Sequence, residues 1–261
     1  MSTATAGPDS PGNTSPGDAP SDQRHPSLES HDAFVRAVRG ECRVPGAQQA
    51  LRRALGKTVD EVPPRTHAVL LRKGLVPDGA TGDARRAHYA VAALIAARPR
   101  AERVADREPS PEQPTTGEPD EEGTEVEDSG TSPETTTGFS PRGTSLGQSL
   151  ALATLRREPT SITHDPEDTD SLKVGGLESR LHLMTRQDVD GIHRMLPSVL
   201  RQLGSAEVPV DYARLLKDLT AWRWYRNSVT TDWLTDYYRT LNRERAATKK
   251  KAKQERQPPS P

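Results

Sequence analysis

Apolar residues recur along this chain at spacings of three and four, and the runs are punctuated by proline, glycine and acidic caps. Asp32 is placed to cap a short helix carrying Phe34, Val35 and Val38. A second helix follows Pro45, with Ala47, Leu51, Ala54 and Leu55 on one face and Arg52 and Arg53 on the other, and Gly56 ends it. Pro63 and Pro64 break the chain before Val69, Leu70 and Leu71. Asp83 is placed to cap a stronger helix whose His88, Val91, Ala92 and Ile95 share a face, and Pro99 stops it.

The pattern resumes at Leu146, Leu150 and Ala153, in a helix that Pro159 closes. Leu177, Leu181 and Met184 mark the next. Val189, Ile192, Leu196, Val199 and Leu203 mark another, which Pro197 is expected to kink or split. Tyr212, Leu215, Leu216, Leu219 and Trp222 form a further stripe. Trp233, Leu234, Tyr237 and Leu241 form the last, opened by Thr230 and Thr231. No segment of useful length alternates with period two, and Val208-Pro-Val210 is too short and proline-broken for a strand. The predicted fold is all-α: two small helical bundles.

Composition limits how much of the 261 residues can fold. The chain is 32% hydrophobic and holds 42 prolines and glycines, so long parts of it cannot bury enough apolar surface to order. Residues 1–30 and the acidic linker 104–141 read as disordered, as does the basic tail 246–261. That leaves a bundle at 31–103 and a second at 142–245. The formal net charge of −1 hides opposed parts. The first bundle carries +7, the linker −10, the second bundle +1 and the tail +4. The folded parts are therefore basic behind an acidic tether, the balance expected of a protein that meets polyanions.

Cys42 is the one cysteine, so an internal disulfide or a paired-cysteine metal site is ruled out. No apolar run approaches a membrane span and no secretory pattern opens the chain; the expected location is the cytoplasm.

Candidate chemistry lies in cations and aromatics. Seven of ten aromatic residues fall between Tyr212 and Tyr238. Trp224 shares a helical face with Arg214 and Lys217, an aromatic plane beside cations, as a base-stacking platform requires. The plainer alternative is that Trp224 anchors a helix or a protein partner. Arg52, Arg53, Arg156, Arg157, Arg180, Arg186, Arg194, Arg226 and Arg239 lie on helices mostly off the apolar stripes. The arginine fork suits phosphate oxygens, although each one singly could be a solvated surface residue. Lys249–Lys251 and Lys253 extend the last helix as a candidate phosphate-seeking arm.

Other signals fail. His182 and His193, eleven residues apart, do not match helical metal spacing. Gly143 and Gly147 imitate a phosphate loop without a preceding strand. The acidic loop 165–170 lacks the glycine and terminal glutamate of a calcium loop. No nucleophile–base constellation can be assembled, so neither an enzyme nor a cofactor is expected.

The order of segments resembles CasB, the small subunit of the type I-E CRISPR surveillance complex Cascade. The resemblance rests on Phe34, on Ala50-Leu-Arg-Arg-Ala-Leu-Gly56 and on Ala87-His-Tyr-Ala-Val-Ala-Ala-Leu-Ile-Ala96. It continues through Ser145-Leu-Gly-Gln-Ser-Leu150, Leu177-Glu-Ser-Arg-Leu-His-Leu-Met184, Val210–Leu219, Trp222 and Trp233-Leu-Thr-Asp-Tyr-Tyr238. It implies two helical bundles and a non-catalytic clamp on nucleic-acid backbone, present as two copies in the complex. The implied partners are crRNA, the target and non-target DNA strands, the large subunit CasA and the backbone subunit CasC. The clamp would stabilise the heteroduplex and the displaced strand. Arg52, Arg53, Arg180, Arg186 and Arg226 are the implied grips, with Arg156, Arg157 and Lys217 as further candidates. Ser179 and Thr230 stand where the family carries basic residues. Two other classes stay open: a helical adaptor that meets acidic protein surfaces, and a nuclease.

Overall fold

The computed structural model describes residues 26–105, 143–157 and 176–255. Residues 1–25, 106–142, 158–175 (with the acidic loop 165–170) and 256–261 lie outside them; of the segments read as tails or linker, residues 26–30, 104–105 and 246–255 are described and are helical, and Leu28 is fully buried. All regular elements among the described residues are helical. After a 3-10 turn at Pro26–Leu28 come α1 (Glu29–Glu41), α2 (Pro45–Arg52), α3 (Pro64–Arg72), α4 (Gly82–Ala96) and α5 (Arg100–Ala105). Then come α6 (Leu146–Arg157), α7 (Gly176–Thr185), α8 (Val189–Ser205) and α9 (Tyr212–Glu255). No helix among them is long and apolar enough to cross a membrane.

α4 is the central rod of the N-terminal group. Ala87, Val91, Ala92, Ala93, Leu94, Ile95 and Ala96 are all buried. Its alanines keep the surface low, so α1, α2 and α9 can all pack against it. Side chains stitch the short helices on: Gln48 Nε2 donates to the Ala96 carbonyl at 2.7 Å, and Thr66 Oγ1 to that of Ala50 at 2.5 Å. In the C-terminal group, α6 lies against α9, α7 packs on α6, and α8 closes the end. Buried residues of both groups, from Phe34 to Leu241, join in one apolar cluster.

Several boundaries differ from the sequence reading. Asp32 and Asp83 lie inside the first turns of α1 and α4, where a carboxylate favours the helix dipole, and the N-caps are Leu28 and Thr81. α2 stops at Arg52, and Gly56 serves the following turn at φ +74°. α8 runs unbroken through Pro197. The proline costs about 3 kcal/mol of helix. Burial of Ile192, Leu196, Val199, Leu200 and Leu203 outweighs it, at roughly 1.5–3 kcal/mol each.

The largest difference is in α9, whose break falls at Tyr225 (φ −123°, ψ 25°) rather than at Thr230 and Thr231. Trp233 Nε1 donates to Asp218 Oδ2 at 2.7 Å, and the rings of Trp222 and Trp233 are 5.1 Å apart. A straight helix would hold residues 218 and 233 about 22 Å apart, so the chain folds back at Tyr225. The first arm, 212–224, also reaches the N-terminal group: Lys217 Nζ bonds Ser27 Oγ at 3.1 Å, and the Arg98 guanidinium sits 5.9 Å from the Tyr212 ring centre. The second arm meets α6, where Thr154 Oγ1 and the Tyr237 hydroxyl are 3.2 Å apart.

Candidate nucleic-acid interface

The reversal of α9 decides which aromatics are buried. Trp222 and Trp233 are sealed inside it and Tyr237 is fully buried, whereas Trp224 is 80% exposed and Tyr225 66% exposed. Arg214 does not join Trp224 on an open face. It is buried, with Nε donating to Asp218 Oδ1 at 2.9 Å and Nη2 to Asp232 Oδ2 at 3.4 Å. Burial pushes the Asp218 carboxyl up, opposed by Arg214 and by the Trp233 N–H. Burial likewise works against the Arg214 charge, but Asp218, Asp232 and Asp236 together hold its guanidinium above the ordinary value. The expected pairing of Trp224 with Arg214 fails because Arg214 faces the latch that closes the reversal.

A cleft of about 720 Å³ opens beside the bend, lined by the starts of α4 and α8 and by residues 222–228. Two ion pairs cross it. Arg223 Nε lies 3.0 Å from Asp83 Oδ2, and Arg86 donates to Asp190, whose carboxyl that bond holds down. Deeper in, Trp222 Nε1 donates to the Gln187 carbonyl at 3.2 Å, and Arg226 Nη1 reaches the same oxygen at 3.5 Å. Arg226 is therefore seated beside the α7–α8 turn that carries exposed Arg186. His193 lies buried under this region, its Nδ1 2.7 Å from the Val189 carbonyl.

A second group gathers at the C-terminal end of α8. Arg156 donates to the carbonyls of Ala206 and Glu207 at 3.0 and 2.7 Å, and Arg157 to those of Gln202 at 2.9 Å and to Ser205 Oγ at 2.7 Å. The Ala206 and Glu207 carbonyls lie just past the helix C-terminus, where cations are favoured, whereas the Gln202 carbonyl also accepts from the Ala206 N–H. Arg180 reaches Ser198 Oγ at 3.4 Å, and with Oε1 of the Gln202 amide turned toward it both Nη atoms lie 3.2 Å away. Arg156, Arg157 and Arg180 thus converge, with part of their donor capacity used on the protein itself.

Arg52 and Arg53 are exposed at the far end of α2. Thr230 is buried, its hydroxyl given to the Asn227 carbonyl at 3.1 Å, so it presents nothing to a ligand. Beyond Leu241, α9 continues as an outward helix through Lys249, Lys250, Lys251 and Lys253. Gly143 and Gly147 serve packing: a Cβ on Gly143, at φ +79°, would meet Asp211, and one on Gly147 would overlap the Trp233 backbone. No cluster of three potential metal ligands occurs among the described residues.

Arg86, Arg223 and Tyr225 were not singled out in the sequence. Arg86 and Arg223 gain their place from partners 104 and 140 residues away, which no local pattern shows.

Fold and surface define a small all-α protein with a charged, aromatic-bearing cleft and arginines grouped on its helices. The chain belongs to the family of CRISPR-associated protein Cse2, whose model matches residues 49–238. Among solved structures it is similar to chains of a "CRISPR RNA-guided surveillance complex, pre-nicking" at 29% identity and TM-score 0.57, over 85% of this chain and 98% of that one. It is similar to a chain of a "CRISPR RNA-guided surveillance complex" at 31% identity and TM-score 0.55, over 85% and 99%. CasB of M. ruber shares the fold at 21% identity and TM-score 0.55, over 84% and 98%. No curated protein matches the chain.

Proposed function

We propose that this protein is the non-catalytic small subunit of a type I-E CRISPR surveillance complex, acting in the cytoplasm in antiviral defence. Its task there is to hold nucleic-acid backbone, stabilising the crRNA–target heteroduplex and the displaced strand. The observation that carries the reading is its family, together with 31% identity over nearly the whole of a chain from an RNA-guided surveillance complex. The pairing energy of an opened R-loop is nearly balanced, so a few phosphate contacts decide its lifetime. Arg52, Arg53, Arg186 and Arg226 are the primary grips, being exposed and lightly engaged within the protein. Arg156, Arg157, Arg180 and Lys217 lend their remaining donors. The complex supplies the guide RNA, a large subunit, a backbone subunit and a second copy of this chain.

The test is binding of single- and double-stranded oligonucleotides of unrelated sequence across a salt series. Affinity is expected to fall about a hundred-fold between roughly 50 and 200 mM salt, as four or so phosphate contacts require. Salt-independent binding, or none, would return the chain to the class of helical adaptors. Divalent-dependent cleavage of the probe would make it a nuclease.

A further inference from the structure

Trp224 and Tyr225 stand side by side in solvent at the one non-helical residue inside α9. Two adjacent large aromatics left outside a small core are unusual, since each could bury roughly 150–250 Å². The backbone of Tyr225 makes the bend, but neither exposed side chain is among the contacts of Asp218, Trp222 and Trp233 that hold the reversal from within. We infer that this pair is a stacking site for an unpaired nucleobase of a single strand, a proposal that rests on the nucleic-acid role above.

The surroundings favour a nucleotide over an apolar protein side chain. Residues 223–228 read Arg-Trp-Tyr-Arg-Asn-Ser and all are exposed, and Val189 is the one aliphatic side chain in a cleft otherwise lined by charged, polar and aromatic groups, a poor setting for a dry protein contact. The Arg223 guanidinium lies 6.0 Å from the Trp224 ring centre, over one face. That contact makes a cation–π pair on which a base can extend the stack. The carboxylates of the cleft are answered locally: Asp83 by Arg223, Asp190 by Arg86, and Asp188 by the Gly191 N–H at 2.7 Å. A base entering there meets two of the three carboxylates already paired with arginines. Arg226, one residue past the bend, is placed for the adjoining phosphate. Asn227 and Ser228 line the same cleft and offer polar groups to a base edge.

Trp222 and Trp233 are buried, so fluorescence that a ligand quenches from outside belongs to Trp224. The probes are a single-stranded oligothymidylate of about twelve nucleotides and a strand of equal length with abasic sugars throughout. Full-length protein is titrated with each, as wild type, Trp224→Ala, Trp224→Phe and Arg226→Ala. The oligothymidylate is expected to quench the wild-type emission. Trp224→Ala should weaken its binding roughly ten-fold, and Trp224→Phe should restore most of that loss. The abasic strand should bind without quenching and be indifferent to Trp224. Arg226→Ala should weaken both strands.

Equal affinity of wild type and Trp224→Ala for the oligothymidylate, with salt-sensitive binding retained, would overturn the stacking site and leave the backbone-clamp role standing. Absence of binding by either strand would overturn both. Loss of association with partner subunits in Trp224→Ala, with strand affinity unchanged, would overturn the site in favour of a protein contact. An unfolding midpoint shared by all four proteins confirms that the comparison reports on the surface.

Discussion

The Trp233 indole and the Asp218 carboxylate meet at 2.7 Å, although fifteen residues and a chain reversal separate them. Arg214, one turn before Asp218, completes the contact at 2.9 Å. A buried carboxylate is costly unless each of its oxygens is answered, and here one takes a guanidinium and the other an indole N–H. The pairing selects a fold-back over a continuous helix, which neither proline nor glycine between 212 and 255 would otherwise interrupt.

Asp218→Ala strands the Arg214 charge in a buried position and deprives the indole of its acceptor. The expected loss is about 3–5 kcal/mol of unfolding free energy. Trp233→Phe removes the N–H and part of the ring volume but leaves the Arg214–Asp218 pair intact, and should cost less. Urea unfolding of both proteins checks the ranking; equal costs would mean that the indole's packing matters more than the latch.

Gly147 and Gly204 should respond oppositely to alanine. A Cβ on Gly147 would overlap the Trp233 carbonyl oxygen, so α6 must move away from α9, at roughly 1–3 kcal/mol or more. A Cβ on Gly204 meets nothing closer than 3.6 Å, and the gain in helix propensity is up to about 1 kcal/mol. Thermal unfolding should show a lower midpoint for the first and an unchanged or higher one for the second.

The arginines should separate by what else they do. Arg186→Ala and Arg226→Ala are expected to weaken strand binding and flatten its salt dependence by about one contact each, with stability nearly intact. Arg156→Ala and Arg157→Ala uncap the α8 C-terminus, so binding and the unfolding midpoint should fall together. Parallel salt titrations and melts make the distinction. A stability loss in the first pair equal to that in the second would sink it.

Burial, ahead of every other influence, holds the imidazoles of His193 and His88 below their ordinary 6.5, while the Val189 and Ala84 carbonyls pull the other way. Arg86 also opposes a charge on His193, and Asp83 and Asp190 favour one. The folded state therefore prefers neutral rings. The unfolded chain binds more protons as pH drops below 6.5, so this stability is fully present above that value and is lost beneath it. Denaturation at about pH 7.5 and about pH 5 should show a decrease, smaller in a His193→Gln variant. A flat profile would contradict the assignment.

Helix content was legible because Val189, Ile192, Leu196, Val199 and Leu203 repeat at helical spacing, and all but the partly buried Val189 are buried as that spacing requires. The bend was misplaced because its cause is a contact between Asp218 and Trp233, and β-branched Thr230 and Thr231 offered a nearer local excuse. Trp224 was separable from the core stripe in the sequence, and the structure leaves it exposed. Its supposed cation Arg214 was not separable, because sequence spacing cannot show that Asp218 and Asp232 converge on it from both arms. Arg156 and Arg157 were visible as surface cations. Their attachment to carbonyls fifty residues on was not.

α9 packs against α1, α4, α6 and α7: its first arm reaches the N-terminal group through Lys217–Ser27 and Arg223–Asp83, and its second meets α6 and α7 through Tyr237–Thr154 and Tyr238–Glu178. Neither helical group can close its interior without that shared wall. Melting should consequently be all-or-none across the molecule, with one calorimetric peak for both groups. A chain that ends before Tyr212 would deprive both groups of that wall at once.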